Sequence, residues 1–458
     1  MKKLIAENIK DKSIKNSVFY NTLLKLAIPI VIQNLITSSI NALDTIMIGR
    51  LGEVEIAAVG IANQYFFLFN LLIIGITSGA GIFISQYWGQ KDRENIHRTL
   101  GFSLITSIIF SILFTIIALK VPQNIIYLFN KDPYVIQLGV EYLKLVSISY
   151  IFTAISLVYG VSSRCVEDTI APMLVSIISL IVNGVLNYIF IFGALGVPAM
   201  GVKGAAYATL IARVVETIVL ISYIYIKKGP LAAKIKNIID IDKEFIKKSL
   251  ETIIPVVIND LCWATAMIIY AIAYGNLGTQ AMAAVQITTT IQNIFMVFCF
   301  GLANGASVMI GHQVGAGNIH VSMEYVKRFQ KLSVITGIIL GIILALTAPY
   351  ILSFFNISDV VYNSALRILY ILSISMTMKI IGAVNIVGIL RGGGAVSYSL
   401  KVEAFTMWFI GVPLVFLGSY IFKLPVEWVV LLVVCEEIAK VVFTTRKLRT
   451  EKWIRQVI

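Results

Sequence analysis

The first long apolar segment of this chain contains one acidic residue, Asp44, set between Leu43 and Thr45. The basic residue closest to it along the chain is Arg50, so no counter-ion lies within a helical turn. A carboxylate held among apolar residues is costly unless it is paired or neutralised, and a proton or a small cation can do this reversibly. Asp44 is therefore predicted to bind H⁺ or Na⁺.

Two asparagines, Asn183 and Asn187, are the candidate partners of Asp44. They lie four residues apart in SLIVNGVLNYIFIFG, so a helix would place both side chains on one face. Side-chain amides can hydrogen-bond a carboxylic acid or offer carbonyl oxygens to a cation. Two interpretations remain open, since the asparagines either complete a cation-coupling site or only tie helices together. No other metal site is predicted.

Two pairs of opposite charge recur inside later apolar segments. Arg213 and Glu216 have i, i+3 spacing, and Glu437 and Lys440 repeat it near the end of the chain. Residues at this spacing are neighbours on a helix surface. We interpret both pairs as structural ion pairs.

Three further charges, Asp260, Lys379 and Glu403, have no such neighbour on their own segments. They would have to meet across helices of the second half of the chain. They form either a structural network or a second cation or substrate site.

The segments that must position these residues are membrane helices. The 458 residues are 58% hydrophobic and only 13% charged, with a mean hydropathy of +0.88. Apolar runs that long and continuous favour helices over the short alternating strands of a membrane barrel. The predicted fold is an all-α integral membrane protein with spans at 25–49, 56–85, 97–121, 138–162, 169–193, 202–227, 250–275, 282–311, 329–355, 363–389, 397–421 and 425–446.

The chain also contains an internal repeat. The stretch 28–60 recurs as 254–286, with Ile-Pro at the start of both copies and Leu-Gly in the same register later. A repeat in a membrane chain is typical of secondary transporters, whose substrate path lies between the halves. Position 44 of the first copy corresponds to Tyr270 in the second, so the two halves differ at the predicted site.

Positions of the basic residues explain the net charge of +13. Most of them lie in alternate loops and at both ends of the chain, which predicts that those loops and both termini are cytoplasmic. The charge therefore indicates topology, and nucleic acid is not an expected partner. The predicted regions are a cytoplasmic N-terminal tail (1–24), an N-lobe of six helices (25–227), an amphipathic cytoplasmic linker (228–249), a C-lobe of six helices (250–446) and a cytoplasmic C-terminal tail (447–458).

Sequence motifs of other chemistries are missing from the chain. It has no GxxxxGK[ST] for nucleotide phosphates and no HExxH for zinc, and the histidines show no metal-ligand spacing. We therefore expect no enzymatic activity and no cofactor other than the coupling ion. Aromatic residues of the second and eighth spans, among them Phe66, Phe69 and Phe295, would form an apolar substrate wall or simply pack between helices.

The order of motifs resembles the MATE family (multidrug and toxic compound extrusion) over essentially the whole chain. The motifs are IPIVIQNLITSSINALDTIMIGRLG, ITSGAGIFISQYWGQKD, NGVLNYIFIFGALGVPAMGVKGAAYAT, IPVVINDLCW and GILRGGG. The resemblance implies twelve helices in two lobes and export of organic, often cationic, drugs in exchange for H⁺ or Na⁺ by alternating access. By position, Asp44 matches the family's first-helix acidic residue, and Asn183 and Asn187 match polar fifth-helix positions. Asp260 has no such match.

Two alternatives stay open. One is a lipid-linked precursor flippase of the same superfamily, and the other is a non-transporting sensor or channel. For the transporter we expect a monomer in the bacterial inner membrane, with small drug-like molecules and the lipid bilayer as its partners.

Overall fold

The computed structural model describes residues 16–355 and 357–458, and within these ranges the chain consists of helices and turns without a β-strand. Long apolar runs place the backbone N–H and C=O groups where no water can bond them, so these groups must form hydrogen bonds within the protein. An α-helix is the structure in which a single segment forms all of these bonds by itself. The long helices, numbered in chain order, are α1 (Asn16–Gly49), α2 (Glu53–Gln90), α3 (Arg93–Lys120), α4 (Pro133–Cys165), α5 (Ile170–Phe192), α6 (Val202–Ile226), α7 (Lys243–Asn276), α8 (Thr279–Gly315), α9 (Ile319–Leu352), α10 (Asp359–Leu390), α11 (Val396–Ile421) and α12 (Val426–Leu448).

Each predicted span coincides with one of these helices, which confirms the all-α membrane fold. Several helices are longer than predicted, since α1 begins at Asn16 and α9 at Ile319. The additional turns contain polar and basic residues, so hydropathy detects only the part of the helix that is apolar throughout. Residues 1–15, which make up most of the predicted N-terminal tail, lie outside the described residues.

Helix α12 is the most polar of the set. The other eleven are long and apolar enough to cross a membrane by composition alone. α12 contains Glu436, Glu437 and Lys440 within two turns. The Lys440 ammonium lies 3.1 Å from a Glu436 oxygen and 3.7 Å from a Glu437 oxygen, so these charges offset one another.

The helices form two compact units whose boundaries fall inside α1 and α7. One unit comprises residues 32–257, and the other comprises the start of α1 up to Val31 together with residues 258–458. The predicted lobes, 25–227 and 250–446, begin at other positions in the same two helices. Close helix packing explains the difference. A Cβ atom at Gly79 of α2 would overlap Ile253, and one at Gly301 of α8 would overlap Val31.

The linker between α6 and α7 packs along α3. Its short helix, Ile235–Ile239, leaves the side chains of both terminal isoleucines exposed. The Arg98 guanidinium donates to an Asp242 carboxylate oxygen at 2.7 Å. Hydrogen bonds from the backbone N–H of Phe245 and from Arg98 hold the pKa of Asp242 below its usual range. The linker is therefore anchored at its end, and the inner-leaflet position of its apolar face stays a prediction.

The C-terminal segment folds back onto the end of α10. Trp453 is fully buried, and a Cβ atom at Gly393 would overlap its ring. The Arg455 backbone N–H donates to the Gly393 carbonyl at 2.8 Å. The glycine at 393 thus permits the close approach of this buried tryptophan.

Candidate functional site

Asp44 lies on α1 and meets both predicted asparagines of α5. The Asn187 Nδ2 atom donates to Asp44 Oδ1 at 2.5 Å and to Asn183 Oδ1 at 3.1 Å. Both asparagines are almost fully buried, and Asp44 is half-buried. One amide nitrogen carries two hydrogens, so both of its donors are used. The structure therefore brings together the three residues that the sequence singled out.

A glycine lets α5 approach α1 at this point. Gly184 follows Asn183, and a Cβ atom there would stand only 3.0 Å from Leu43, the residue before Asp44. Small residues at helix contacts allow backbones to come close enough for short polar side chains to bond. The local sequence NGVLN thus supplies both the polar face and the close approach that it needs.

The basic residue nearest to the site is engaged elsewhere. The Arg213 guanidinium on α6 lies 2.8 Å from Glu216, the predicted i, i+3 pair, and Ser179 donates to the same carboxylate oxygen at 3.1 Å. Arg213 acts on Asp44 electrostatically from a longer distance. Among the described residues, Asp44 forms no ion pair.

The phenol of Tyr142 on α4 is buried and lies close enough to Asp44 for electrostatic interaction. In all, three side-chain oxygen sources, Asp44, Asn183 and Asn187, converge here. The Asn187 carbonyl oxygen is buried and has no hydrogen-bond partner among the described residues. Oxygen atoms arranged in this way can accept the hydrogen bond of a protonated carboxyl group or coordinate a hard cation.

The predicted meeting of Asp260, Lys379 and Glu403 is wrong, because each has a different partner. Asp260 accepts a hydrogen bond from the Arg391 guanidinium at 2.7 Å. Glu403 accepts one, also at 2.7 Å, from the side-chain amide of Asn259, the residue before Asp260. Lys379 donates to a glutamine on α8 at 3.1 Å. Adjacent residues on a helix point about 100° apart, so Asn259 and Asp260 reach different helices.

Arg391 falls between the predicted spans 363–389 and 397–421, in a loop expected to be cytoplasmic. In the structure a π-helical segment, Val384–Leu390, leads directly into Arg391, which is only 6% exposed. A π-segment inserts an extra residue per turn and rotates the following side chains. The guanidinium therefore faces Asp260 and not water.

Sequence reasoning missed the role of Glu436. This residue is 1% exposed, and one of its oxygens accepts a hydrogen bond of 2.6 Å from the hydroxyl of Tyr270. Tyr270 is the repeat counterpart of Asp44. The residue at the repeat position of Asp44 therefore contacts a carboxylate that belongs to another helix, α12. The difference between Asp44 and Tyr270 in the repeat was the sequence signal that could have indicated a role for another acid. The sequence does not show which helix carries that acid.

Removal of the Tyr270 hydroxyl should destabilise the protein. In Tyr270→Phe, a buried Glu436 oxygen loses a donor, which costs about 1–3 kcal/mol. Thermal unfolding in detergent would measure this as a lower transition temperature. Tyr420→Phe is the control, because the Tyr420 hydroxyl forms no hydrogen bond in the described structure and should leave stability unchanged. Equal stability of the two variants would contradict the assignment.

The aromatic residues separate into packing and partly exposed positions. Phe69 is fully buried and stacks on Tyr150, with ring centroids 4.6 Å apart, so it belongs to the core of its unit and does not face a substrate path. Phe66 contacts the same tyrosine at 5.5 Å and is partly exposed. Phe295 on α8 is also partly exposed. For Phe66 and Phe295 the substrate wall stays a prediction.

Comparison with known proteins places the chain among transporters. Curated relatives include the probable multidrug resistance protein YoeA of Bacillus subtilis, 25% identical over 422 residues and covering 91% of this chain and 90% of the relative. The probable multidrug resistance protein NorM of Thermotoga maritima is 25% identical over 404 residues, covering 88% and 86% of the two chains.

Solved structures share the fold. A MOP superfamily transporter from Pyrococcus furiosus superimposes with a TM-score of 0.85 at 22% identity, covering 94% of this chain and 96% of that one. An outward-facing multidrug resistance MATE transporter gives 0.86 at 21% identity with the same coverage. The MatE family model matches residues 29–189 and 255–417, one match in each half of the repeat. The chain therefore belongs to the MATE family of membrane transporters.

Proposed function

We propose that this protein exports organic cations from the bacterial cell in exchange for H⁺ or Na⁺, with Asp44 as the coupling residue. One observation carries the proposal. Asp44 is half-buried in a membrane helix, bonded to Asn187 and without an ion-pair partner in the described structure. Relatives described as multidrug resistance proteins support drug export over lipid-linked precursor flipping.

The amide of Asn187 suits both states of an exchanging carboxyl group. When Asp44 is ionised, the amide nitrogen donates to it, as observed. When Asp44 carries a proton, the O–H needs an acceptor, and the Asn187 carbonyl oxygen has no other partner. Rotation of the amide about its terminal bond would exchange the two roles. The same carbonyl, with Asn183 Oδ1 and the carboxylate, offers Na⁺ a set of hard oxygen ligands.

Coupling follows because the drug and the coupling ion both depend on the negative charge of Asp44. With Asp44 ionised and open to the cytoplasm, the site attracts a cationic drug; with a proton or Na⁺ bound from outside, that attraction is lost. Binding of either partner therefore weakens binding of the other, and by linkage the effect is reciprocal. Alternating access then releases the drug outside and the ion inside. The basic loops predict that both termini face the cytoplasm of a bacterial inner membrane.

Transport in vesicles tests the proposal and chooses the ion. Purified protein reconstituted into liposomes should concentrate ethidium, a permanent cation, when an outward gradient of the coupling ion is imposed. A pH gradient and a Na⁺ gradient are applied separately, with the membrane potential clamped by K⁺ and valinomycin. Ethidium movement driven by one gradient identifies the ion. Movement that neither gradient changes would overturn the proposal.

A further inference from the structure

Lys379 of α10 and Gln292 of α8 form a polar pair that the Asp44 mechanism does not use. The Lys379 ammonium donates to Gln292 Oε1 at 3.1 Å. Gln292 is 8% exposed, and its amide nitrogen is buried without a hydrogen-bond partner among the described residues. Lys379 itself is partly exposed. Lys379 is thus the exposed member of the pair, and the unpaired amide nitrogen of Gln292 lies on its buried side.

The carboxylates in the neighbourhood are already engaged. Glu436 and Glu437 both lie against the Lys440 ammonium, at 3.1 Å and 3.7 Å. They act on Lys379 electrostatically from farther away. Within the described ranges, no carboxylate oxygen is within ion-pair distance of Lys379. Its positive charge therefore has a neutral amide as its direct contact.

The balance of donors and acceptors indicates the kind of ligand. An ammonium group has three donors, and an amide nitrogen has two. One donor of Lys379 is used by Gln292, and the buried amide donors are unused. The ligand group that matches these donors is an anion with two acceptor oxygens. One oxygen would accept a hydrogen bond from the ammonium and the other would accept one from the amide.

We propose that Lys379 and Gln292 bind the carboxylate of zwitterionic substrates. The inference rests on the proposed function and extends it, since an organic cation with a carboxylate would be preferred over the same cation without one. The pair lies in the second unit and Asp44 lies in the first, so the two can be tested independently.

Binding of two matched dyes tests the subsite. Rhodamine B carries a delocalised positive charge and a carboxylate, and its ethyl ester keeps the positive charge but lacks the carboxylate. Fluorescence anisotropy with the purified full-length protein in detergent should give tighter binding of rhodamine B. Lys379→Gln should weaken rhodamine B about tenfold, the effect of a hydrogen bond to a charged group, and leave the ester within about twofold.

A second pair of variants separates the subsite from general effects on folding. Gln292→Glu places a carboxylate beside Lys379 and should remove the preference for rhodamine B, whereas Lys379→Arg should retain it. Lys401→Gln, at an exposed position of α11, is the matched control and should change neither dye. Wild-type protein without a preference for rhodamine B, or equal losses for both dyes in Lys379→Gln, would overturn the inference. Ethidium transport by Asp44 variants tests the proposed function separately.

Discussion

Asp44→Asn should fold, bind cationic dyes more weakly than the wild type and lose all transport driven by an ion gradient. Asparagine has the size of aspartate, and its carbonyl oxygen can accept the hydrogen bond that Asn187 donates at 2.5 Å. It cannot take up a proton or balance a cation's charge. In a one-for-one exchange of cations, a tenfold ion gradient supplies about 1.4 kcal/mol, enough for a dye gradient of about tenfold, and the variant should sustain none.

Ethidium accumulation in liposomes measures this loss, and size-exclusion profiles check that the variant is folded. Asp359→Asn makes the same chemical change at an exposed position in the first turn of α10 and should transport like wild type. Wild-type transport by Asp44→Asn would show that the coupling carboxylate lies elsewhere.

Arg391→Ala should have the largest effect on stability. The guanidinium is 2.7 Å from Asp260, and both side chains are largely buried. Removing one partner leaves an uncompensated charge in the interior, which costs about 3–5 kcal/mol. The double variant Asp260→Ala/Arg391→Ala removes both charges and should recover most of this loss. Thermal unfolding in detergent compares the single and double variants.

Lys203→Ala is the matched control for this pair. The Lys203 ammonium lies 3.5 Å from Glu141, and the two side chains are 52% and 34% exposed, so its loss should cost no more than about 1 kcal/mol. If Arg391→Ala were as stable as Lys203→Ala, the Arg391–Asp260 pair would not be structural, and Asp260 would again be a candidate for cation exchange.

The fold was predictable because it depends on long-range averages of the sequence. Twelve apolar stretches, the charge pattern of the loops and the repeat each pointed to the same architecture. The Asp44 site was predictable for a local reason. Asn183 and Asn187 share a helix face by their spacing, and one unpaired acid in the same half needed polar neighbours.

Contacts between helices could not be derived in the same way. Spacing tells which residues share a face but not which helix that face meets, and so the partners of Asp260, Lys379 and Glu403 were wrong. Arg391 was assigned to a loop by its position just after the predicted span 363–389, and position along the chain does not show whether such a side chain is buried. Phe69 was proposed for a substrate wall because aromatic periodicity is the same for a packed face and for an open one.

Ion release on drug binding tests most directly whether Asp44 carries the coupling ion. Ethidium is added to purified protein in weakly buffered detergent solution, loaded with the ion that the vesicle experiment identifies, and released H⁺ or Na⁺ is recorded with an ion-sensitive indicator. We predict release from the wild-type protein and from Asp359→Asn, and no release from Asp44→Asn. Equal release from wild type and Asp44→Asn would contradict the central role of this carboxylate.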